Sequence, residues 1–414
     1  MQPASPWYYF VSMAILILEG WLLSRILPFH RRQNTKELGL RRVVPVDGLR
    51  GILAVSVFFH HANQFFAFQA HPTDWLPPSS HFYVQVGVAP VTMFFFITGY
   101  VFWLKMIKHA SIPLGPFLYG RIGRLGPVYV FACVLCFTLI AFQSHFHRNE
   151  SLALLIAQGA SWLVFFGAGH DMNHIMWSRL WLGPAWTLRS EWLFYLSLPF
   201  LGWFARRIQR LPLIVAVAGT IAFLLTTLNL HLTPHSPIHA IVEVFQAYFS
   251  FLAYTFIVGM AVAAIQFSPK VKAWAQTNAA SVVSLALIGI TLFWGKTEYG
   301  WQESLLLVVP FACITLGNTW FGLLSSEPVR FLGRISYSFY LLHVVLLGSE
   351  LLFFKRYINF ATLSQPRYWL FALGSCAFTV LVSAITYQFL EFPFLHVGRP
   401  APKPVEDRTL ITAA

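Results

Sequence analysis

The chain predicts an all-α fold: a polytopic membrane helix bundle with a ten-helix core and one extra N-terminal transmembrane helix. Three observations predict it. Of 414 residues, 57% are hydrophobic and only 10% are charged, against roughly 25% charged in soluble domains. The apolar residues fall in successive runs, most near the ~20 residues that cross a hydrocarbon core of ~30 Å. The formal net charge is +13, and Lys and Arg concentrate in alternate short loops, the positive-inside pattern. In a soluble protein that charge would suggest nucleic acid. Its confinement to loops between apolar runs excludes nucleic acid and makes the lipid bilayer the partner.

Residues 1–30 form the extra helix. The apolar run Trp7 to Phe29 has no Lys or Arg before it, and His30-Arg31-Arg32 follow it. A secretory signal has the reverse arrangement, so this segment reads as a retained helix with its N-terminus outside. Residues 31–45 are a basic cytoplasmic linker carrying Arg31, Arg32, Lys36, Arg41 and Arg42. The membrane domain covers 46–396. Its spans fall roughly at 51–70, 84–107, 127–143, 185–204, 211–230, 243–267, 279–295, 304–324, 337–354 and 369–391. Strict alternation of the basic loops puts 144–184 outside as a whole, so the apolar stretch 152–166 is re-entrant or lies along the surface. An external loop with Lys355, Arg356 and Arg367 departs from the rule. The Pro-rich tail, 397–414, reads as disordered and cytoplasmic. No internal repeat is visible, which speaks against an inverted-repeat transporter. Cys133, Cys136, Cys313 and Cys376 all sit inside apolar runs. The Cys133-x-x-Cys136 pair therefore reads as core packing rather than redox chemistry.

The chain is organised around Val46-Asp47-Gly48-Leu49-Arg50-Gly51, which leads directly into an apolar helix carrying His60-His61. At about 1.5 Å rise per residue, His61 lies roughly 16 Å beyond Arg50, near mid-membrane. An ionisable group at that depth is costly and reads as functional. A neutral imidazole can take a hydroxyl proton near neutral pH and return it to a leaving group; the bland alternative is a buried histidine donating to a neighbouring helix. His60 faces about 100° away from His61. Arg50 reads either as half of a surface pair with Asp47 or as a cation at the cytoplasmic mouth of a pocket. Arg121 and Arg124, three apart in Tyr119-Gly-Arg-Ile-Gly-Arg-Leu-Gly-Pro127, suit phosphate groups or lipid head groups.

In Trp186-Thr-Leu-Arg-Ser-Glu191-Trp192, the carboxylate of Glu191 falls inside an apolar run and needs a partner. A histidine on another helix would fit, since such a pair orients a catalytic base; coming in from the outer side, Glu191 orients His61 or holds the acceptor. Ser336, Tyr340 and His343 share one helical face and suit a polar ligand or aromatic packing. His81, His145, His147, His170 and His174 lie on the external side without converging, so no metal is expected.

Six stretches occur in order: Val46-Asp-Gly-Leu-Arg50-Gly with His61 beyond it, Met93-Phe-Phe-Phe-Ile-Thr-Gly99-Tyr, Arg121-Ile-Gly-Arg124-Leu-Gly-Pro127, Trp186-Thr-Leu-Arg-Ser-Glu191 with Phe194-Tyr195, Gly333-Arg-Ile-Ser336-Tyr337-Ser-Phe-Tyr340-Leu-Leu-His343, and Glu391-Phe-Pro393-Phe394. Together they resemble the acyltransferase 3 family of integral membrane O-acyltransferases, which modify bacterial surface sugars such as O-antigen and Nod factors. The resemblance spans 46 to about 395. It implies that Arg50 and His61 are the essential pair, that Arg121 and Arg124 serve acyl-CoA, and that Glu191 is the family's acidic position. The extra N-terminal helix and Phe392 after Glu391 depart from the family pattern. No fused extracytoplasmic hydrolase-like domain is visible.

The resulting expectation is a multi-pass enzyme of the bacterial inner membrane with a cytoplasmic C-terminus. It moves an acyl group, most simply acetyl from acetyl-CoA, to a sugar hydroxyl of a surface polysaccharide or glycolipid. Ser336, Tyr340 and His343 are assigned with the arginine pair to the acyl-CoA, and Trp181, Trp186 and Trp192 to stacking on the acceptor. Polysaccharide-biosynthesis machinery is a candidate partner. A proton-coupled exporter or flippase of lipid-linked saccharides would use the same His61 and Glu191 but has no need of a cytoplasmic phosphate cradle. A scaffold of an export complex would need neither Arg50 nor His61.

Overall fold

A computed structural model of the chain describes residues 4–27, 44–70, 75–78, 80–108, 114–164, 171–176, 178–207, 254–265, 267–294 and 301–395. The described elements are helices: α1 (Trp7–Ile26), α2 (Val44–Ala70), α3 (His81–Lys108), α4 (Leu114–Gln143), α5 (Leu152–Leu163), α6 (Trp186–Arg207), α7 (Tyr254–Ala264), α8 (Pro269–Ala275), α9 (Asn278–Trp294), α10 (Trp301–Thr315), α11 (Glu327–Phe354) and α12 (Gln365–Thr386). A 3₁₀ segment, Ser178–Ala185, leads into α6. No β-strand occurs among the described residues beyond one isolated bridge, Met172 to Ile175. This is a polytopic helical membrane bundle. Five described helices are long and apolar enough to cross a bilayer: α1, α3, α4, α11 and the continuous run Gln365–Phe394 that contains α12. The expected span 211–230, most of the linker 31–45, the tail 397–414 and His170 lie outside the described residues.

Three helices begin well before their apolar runs. α2 starts at Val44 instead of 51, α4 at Leu114 instead of 127, and α11 at Glu327 instead of 337. Hydropathy locates the stretch inside the lipid, whereas helix formation needs no apolar side chains. Arg50, Arg121, Arg124 and Arg334 are consequently helix residues, held on defined faces, and not loop residues. The expected span 304–324 is shorter than predicted, since α10 ends at Thr315. Gly317, Trp320, Phe321 and Gly322 then adopt positive φ, which no helix continues through. The Asn318 amide fixes this turn by donating to Ala275 O (2.7 Å) and accepting from Trp320 N (2.9 Å). α5 has 12 residues, about 18 Å, and does not reach across ~30 Å of hydrocarbon. The Ser151 side chain caps it by accepting from Leu154 N. Its far end is tied to α4 by the Tyr129 hydroxyl donating to Trp162 O at 2.6 Å.

The core is built on α2, α3 and α11. Lipid tails are as apolar as Leu, so helices associate in a membrane by close packing and hydrogen bonds. Here glycines supply the close packing. A Cβ on Gly99 of α3 would stand 2.2 Å from Phe256 O of α7, and one on Gly259 would stand 2.1 Å from Phe96 O. The extra helix α1 packs in the same way. A Cβ on Gly20 would stand 3.1 Å from Pro328 O of α11, the Tyr9 and Ser56 hydroxyls share a 2.8 Å hydrogen bond, and Tyr8 stacks on Trp369 of α12. The four cysteines are buried and free.

Candidate active site

α2 meets α11 and the turn just before it, which holds Leu324, backbone to backbone through three glycines. A Cβ on Gly48 would stand 2.0 Å from Leu324 O, one on Gly51 would stand 2.6 Å from Gly333 N, and one on Gly333 would stand 1.9 Å from Asp47 O. This contact sets the register of two helices running the same way. At one end Arg50 and Arg334 line a common cavity. About three turns deeper, the rings of His61 and His343 lie 5.2 Å apart at 38°.

The cavity measures about 460 Å³. Five cations face it: Arg50, Lys105, Arg121, Arg124 and Arg334, against the carboxylates of Asp47, Glu191 and Glu391. Arg121 and Arg124 reach it from one face of α4, as their spacing predicts, and the Arg121 guanidinium lies over the Phe102 ring at 5.2 Å. Arg124 Nε stands 3.8 Å from Glu391 Oε1. The second oxygen of Glu391 accepts from the Ser338 hydroxyl at 3.2 Å. Glu391 is almost fully buried and ends the π-helical turn Tyr387–Glu391 that follows α12. Such turns occur frequently at functional sites. The Tyr337 hydroxyl, donating to Leu125 O at 2.7 Å, ties α11 to the arginine-bearing turn of α4.

Glu191 belongs to this cavity and not to His61. It accepts from the Tyr195 hydroxyl at 2.6 Å and lies within electrostatic reach of Arg50, Arg121 and Arg124. The expected Glu191–histidine pair is therefore absent from the structure; three nearby guanidinium groups are a stronger attraction for a buried carboxylate than a neutral imidazole. Ser336 and Tyr340 line the cavity, as their shared face predicts, but His343, one turn further, does not. Trp181 is buried against Gly348 and has no free face for an acceptor. Trp186 is 42% exposed, and Trp192 packs edge-on to Tyr195.

Two polar groups facing the cavity, Arg121 Nε and Ser336 Oγ, are buried without a hydrogen-bond partner. Leaving such a donor unsatisfied costs about 1–3 kcal/mol. An excess of guanidinium groups with orphaned donors fits a phosphate-bearing ligand. Phe94 and Tyr340, whose rings meet edge to face at 5.7 Å, both line the cavity. The Tyr340 ring also lies 5.8 Å from that of His343, which the cavity lining does not include.

Each imidazole is held in one tautomer. His343 Nδ1 lies 2.7 Å from Tyr340 O, and a carbonyl only accepts, so Nδ1 carries the proton and Nε2 a lone pair. His61 Nδ1 lies 2.9 Å from Gln64 Oε1, which assigns the same tautomer. His60 is committed elsewhere: its Nδ1 donates to Tyr83 O at 2.8 Å, and its ring fills the space beside Gly87.

A helical membrane bundle with a cationic cavity at the foot of two imidazole-bearing helices is the setting in which the relatives are informative. The acyltransferase 3 family, described as an acyltransferase domain, matches residues 44–388. The chain belongs to that family. Its similarity to "Protein 2 in picA locus" of Rhizobium radiobacter is 26% identity over 196 residues, 44% of this chain and 92% of that protein. No solved structure matches the chain. The protein is thus a membrane acyltransferase, and its family match begins at the first residue of α2 and leaves α1 outside. Glu391, Arg334, Gln64 and Tyr195 were not anticipated as site residues of this acyltransferase. The available signal for Glu391 was a lone carboxylate at the end of an apolar run.

Proposed function

We propose that this acyltransferase moves an acyl group, most simply acetyl, from cytoplasmic acetyl-CoA to a hydroxyl of a sugar in a surface polysaccharide or glycolipid. The observation that carries the reading is the placement of an arginine-rich cavity one side-chain layer below a pair of neutral imidazoles. Arg50, Arg121 and Arg124 hold the phosphates of the acyl-CoA. Ser336 and Tyr340 meet its pantetheine arm, whose length suits the roughly 16 Å from Arg50 to His61. His61 Nε2 takes the hydroxyl proton as the oxygen bonds to the thioester carbonyl carbon. The C–S bond breaks, and the departing thiolate takes that proton back, so the base is regenerated. Gln64 holds the reactive tautomer. Glu191 and Tyr195 brace the arginines. Residues 46–396 form the acyltransferase unit. The protein resides in a bacterial inner membrane with its N-terminus outside and its C-terminus in the cytoplasm, as the distribution of Lys and Arg supports.

The test uses full-length protein in nanodiscs, acetyl-labelled acetyl-CoA and a surface glycan as acceptor. Wild type is expected to release free CoA and label the glycan, and His61→Ala, inserted and folded, to do neither. Unimpaired label transfer by His61→Ala removes the histidine from the mechanism. Translocation of a lipid-linked saccharide without CoA release favours the exporter reading instead.

A further inference from the structure

The His61–His343 pair presents two hydrogen-bond acceptors where the transfer reaction needs one base. His343 is fully buried, its Nδ1 is used by Tyr340 O, and its Nε2 has no hydrogen-bond partner. An enclosed lone pair of this kind is costly if nothing donates to it. Among the described residues no donor reaches it. Phe58 and Phe339 flank the ring, with Phe339 stacked parallel to it at 6.1 Å. Its polar neighbour His61 is in the same tautomer and also presents a lone pair. Two lone pairs repel and cannot satisfy each other, so the pair is complete only when a ligand brings two donors. His61 keeps part of its surface exposed, so its ring is not sealed into the core.

The thioester of acyl-CoA donates nothing, and its nearest amide N–H belongs to the pantetheine arm that the function proposed above seats against Ser336 and Tyr340. The second donor is then supplied by the acceptor. One hydroxyl gives its proton to His61 Nε2 and reacts. A single O–H has one hydrogen and cannot also serve His343. We propose that His343 Nε2 accepts a hydrogen bond from a second hydroxyl adjacent to the reacting one, so that the acceptor is a vicinal diol. This rests on the function proposed above and narrows it: sugar positions with a free neighbouring hydroxyl are acylated, and isolated alcohols are poor acceptors. His343 binds the acceptor and neither gains nor loses a proton. A site built to hydrogen-bond a substrate hydroxyl discriminates against the analogue lacking it because its own polar group is left unpaired.

The experiment crosses enzyme variants with substrate analogues. Full-length protein in nanodiscs receives acetyl-CoA and either methyl β-D-glucopyranoside or its monodeoxy analogues, and thiol release is followed while the acylated position is mapped. For wild type, deleting the hydroxyl beside the acylated one is expected to lower kcat/KM by about tenfold or more. In His343→Phe, which fills the site without an acceptor, that ratio is expected to fall to about one. His343→Gln restores an acceptor oxygen and is expected to recover part of the preference. Because the readout is a ratio within each variant, partial loss of folded protein does not mimic it. The inference is overturned if wild type treats glycoside and deoxy analogue alike, or if His343→Phe discriminates as wild type does. Failure of every variant to transfer acetyl to any glycoside overturns the proposed function and this inference with it, whereas equal rates overturn the inference alone.

Discussion

Gly51 of α2 faces Gly333 of α11 so closely that a Cβ on Gly51 would stand 2.6 Å from Gly333 N. One turn away, Gly48 meets Leu324 O in the same manner. These contacts hold Arg50 beside Arg334 and, further up the same two helices, His61 beside His343. The acyltransferase site is therefore a consequence of glycine-mediated register, set at one end of two helices and used at the other.

Substituting these glycines tests that register. Gly51→Val forces its side chain into Gly333 N and Val329 O, and small-residue contacts of this kind are what bring membrane helices together. We expect loss of monodisperse protein or a large drop in thermal midpoint. Gly374→Ala on α12 is the control, since a Cβ there meets nothing within 4 Å. It should be neutral or stabilising by up to about 1 kcal/mol. Thermal unfolding followed by size-exclusion fluorescence reads both.

The Arg124–Glu391 pair gives a second prediction. Glu391 is almost wholly buried, and removing one partner of a buried pair costs about 3–5 kcal/mol because the other charge is left uncompensated. Arg124 is only partly buried, so the coupling is smaller, of order 0.5–3 kcal/mol. Arg124→Ala, which strands the buried Glu391 carboxylate, should destabilise the protein more than Glu391→Ala, which leaves a guanidinium 26% exposed, and the double variant should be less affected than the two single losses added. Glu391→Ala alone should also raise KM for acyl-CoA while changing kcat less, because in the proposed mechanism the carboxylate acts through Arg124. Strict additivity in a double-mutant cycle would remove the coupling.

That pair also marks how much of the site could be read beforehand. Arg50, Arg121, Arg124 and Glu191 stood out because each is a charge at the border of an apolar run. Membership of the cavity was legible for the three arginines; for Glu191, expected to come in from the outer side, neither membership nor partnership was. Glu191 was assigned to a histidine, yet it meets Tyr195 and the arginines, since spacing along a helix fixes a face and says nothing of what opposes it. Glu391 closes an apolar run, and its meeting with Arg124 depends on a π-helical turn that leaves no pattern in hydropathy. The fold class was plain for the opposite reason. Long apolar runs and alternating basic loops are local features of the chain, and each needs no knowledge of its neighbours.

Gln64 carries a third prediction. Its Oε1 accepts from His61 Nδ1 at 2.9 Å, so in the proposed mechanism Gln64 positions the base without touching the reacting atoms. Gln64→Leu frees the imidazole to take the other tautomer or turn. We expect kcat to fall by about tenfold or more with KM for acyl-CoA unchanged, against a loss of about 10²–10⁴ for His61→Ala. Gln64→Glu keeps an acceptor oxygen and should retain more activity than Gln64→Leu. Equal losses in both variants would point to packing rather than tautomer control.

The ring pair of Phe94 and Tyr340 gives the last prediction. Both rings line the cationic cavity and Tyr340 stands beside His343, so on the proposed route an acyl group carried on a thioester passes them. A pair of aromatic rings favours a short chain. Tyr340→Ala removes one ring but leaves the backbone carbonyl that holds His343 Nδ1, so the support of the imidazole pair survives. The added room should favour longer donors. Each methylene accommodated is worth about 0.8 kcal/mol, so the two extra carbons of butyryl-CoA over acetyl-CoA should raise the butyryl-to-acetyl ratio of kcat/KM by roughly tenfold. Phe94→Ala should move the ratio in the same direction. A ratio that stays fixed in both variants would mean that the acyl chain reaches His61 by another path.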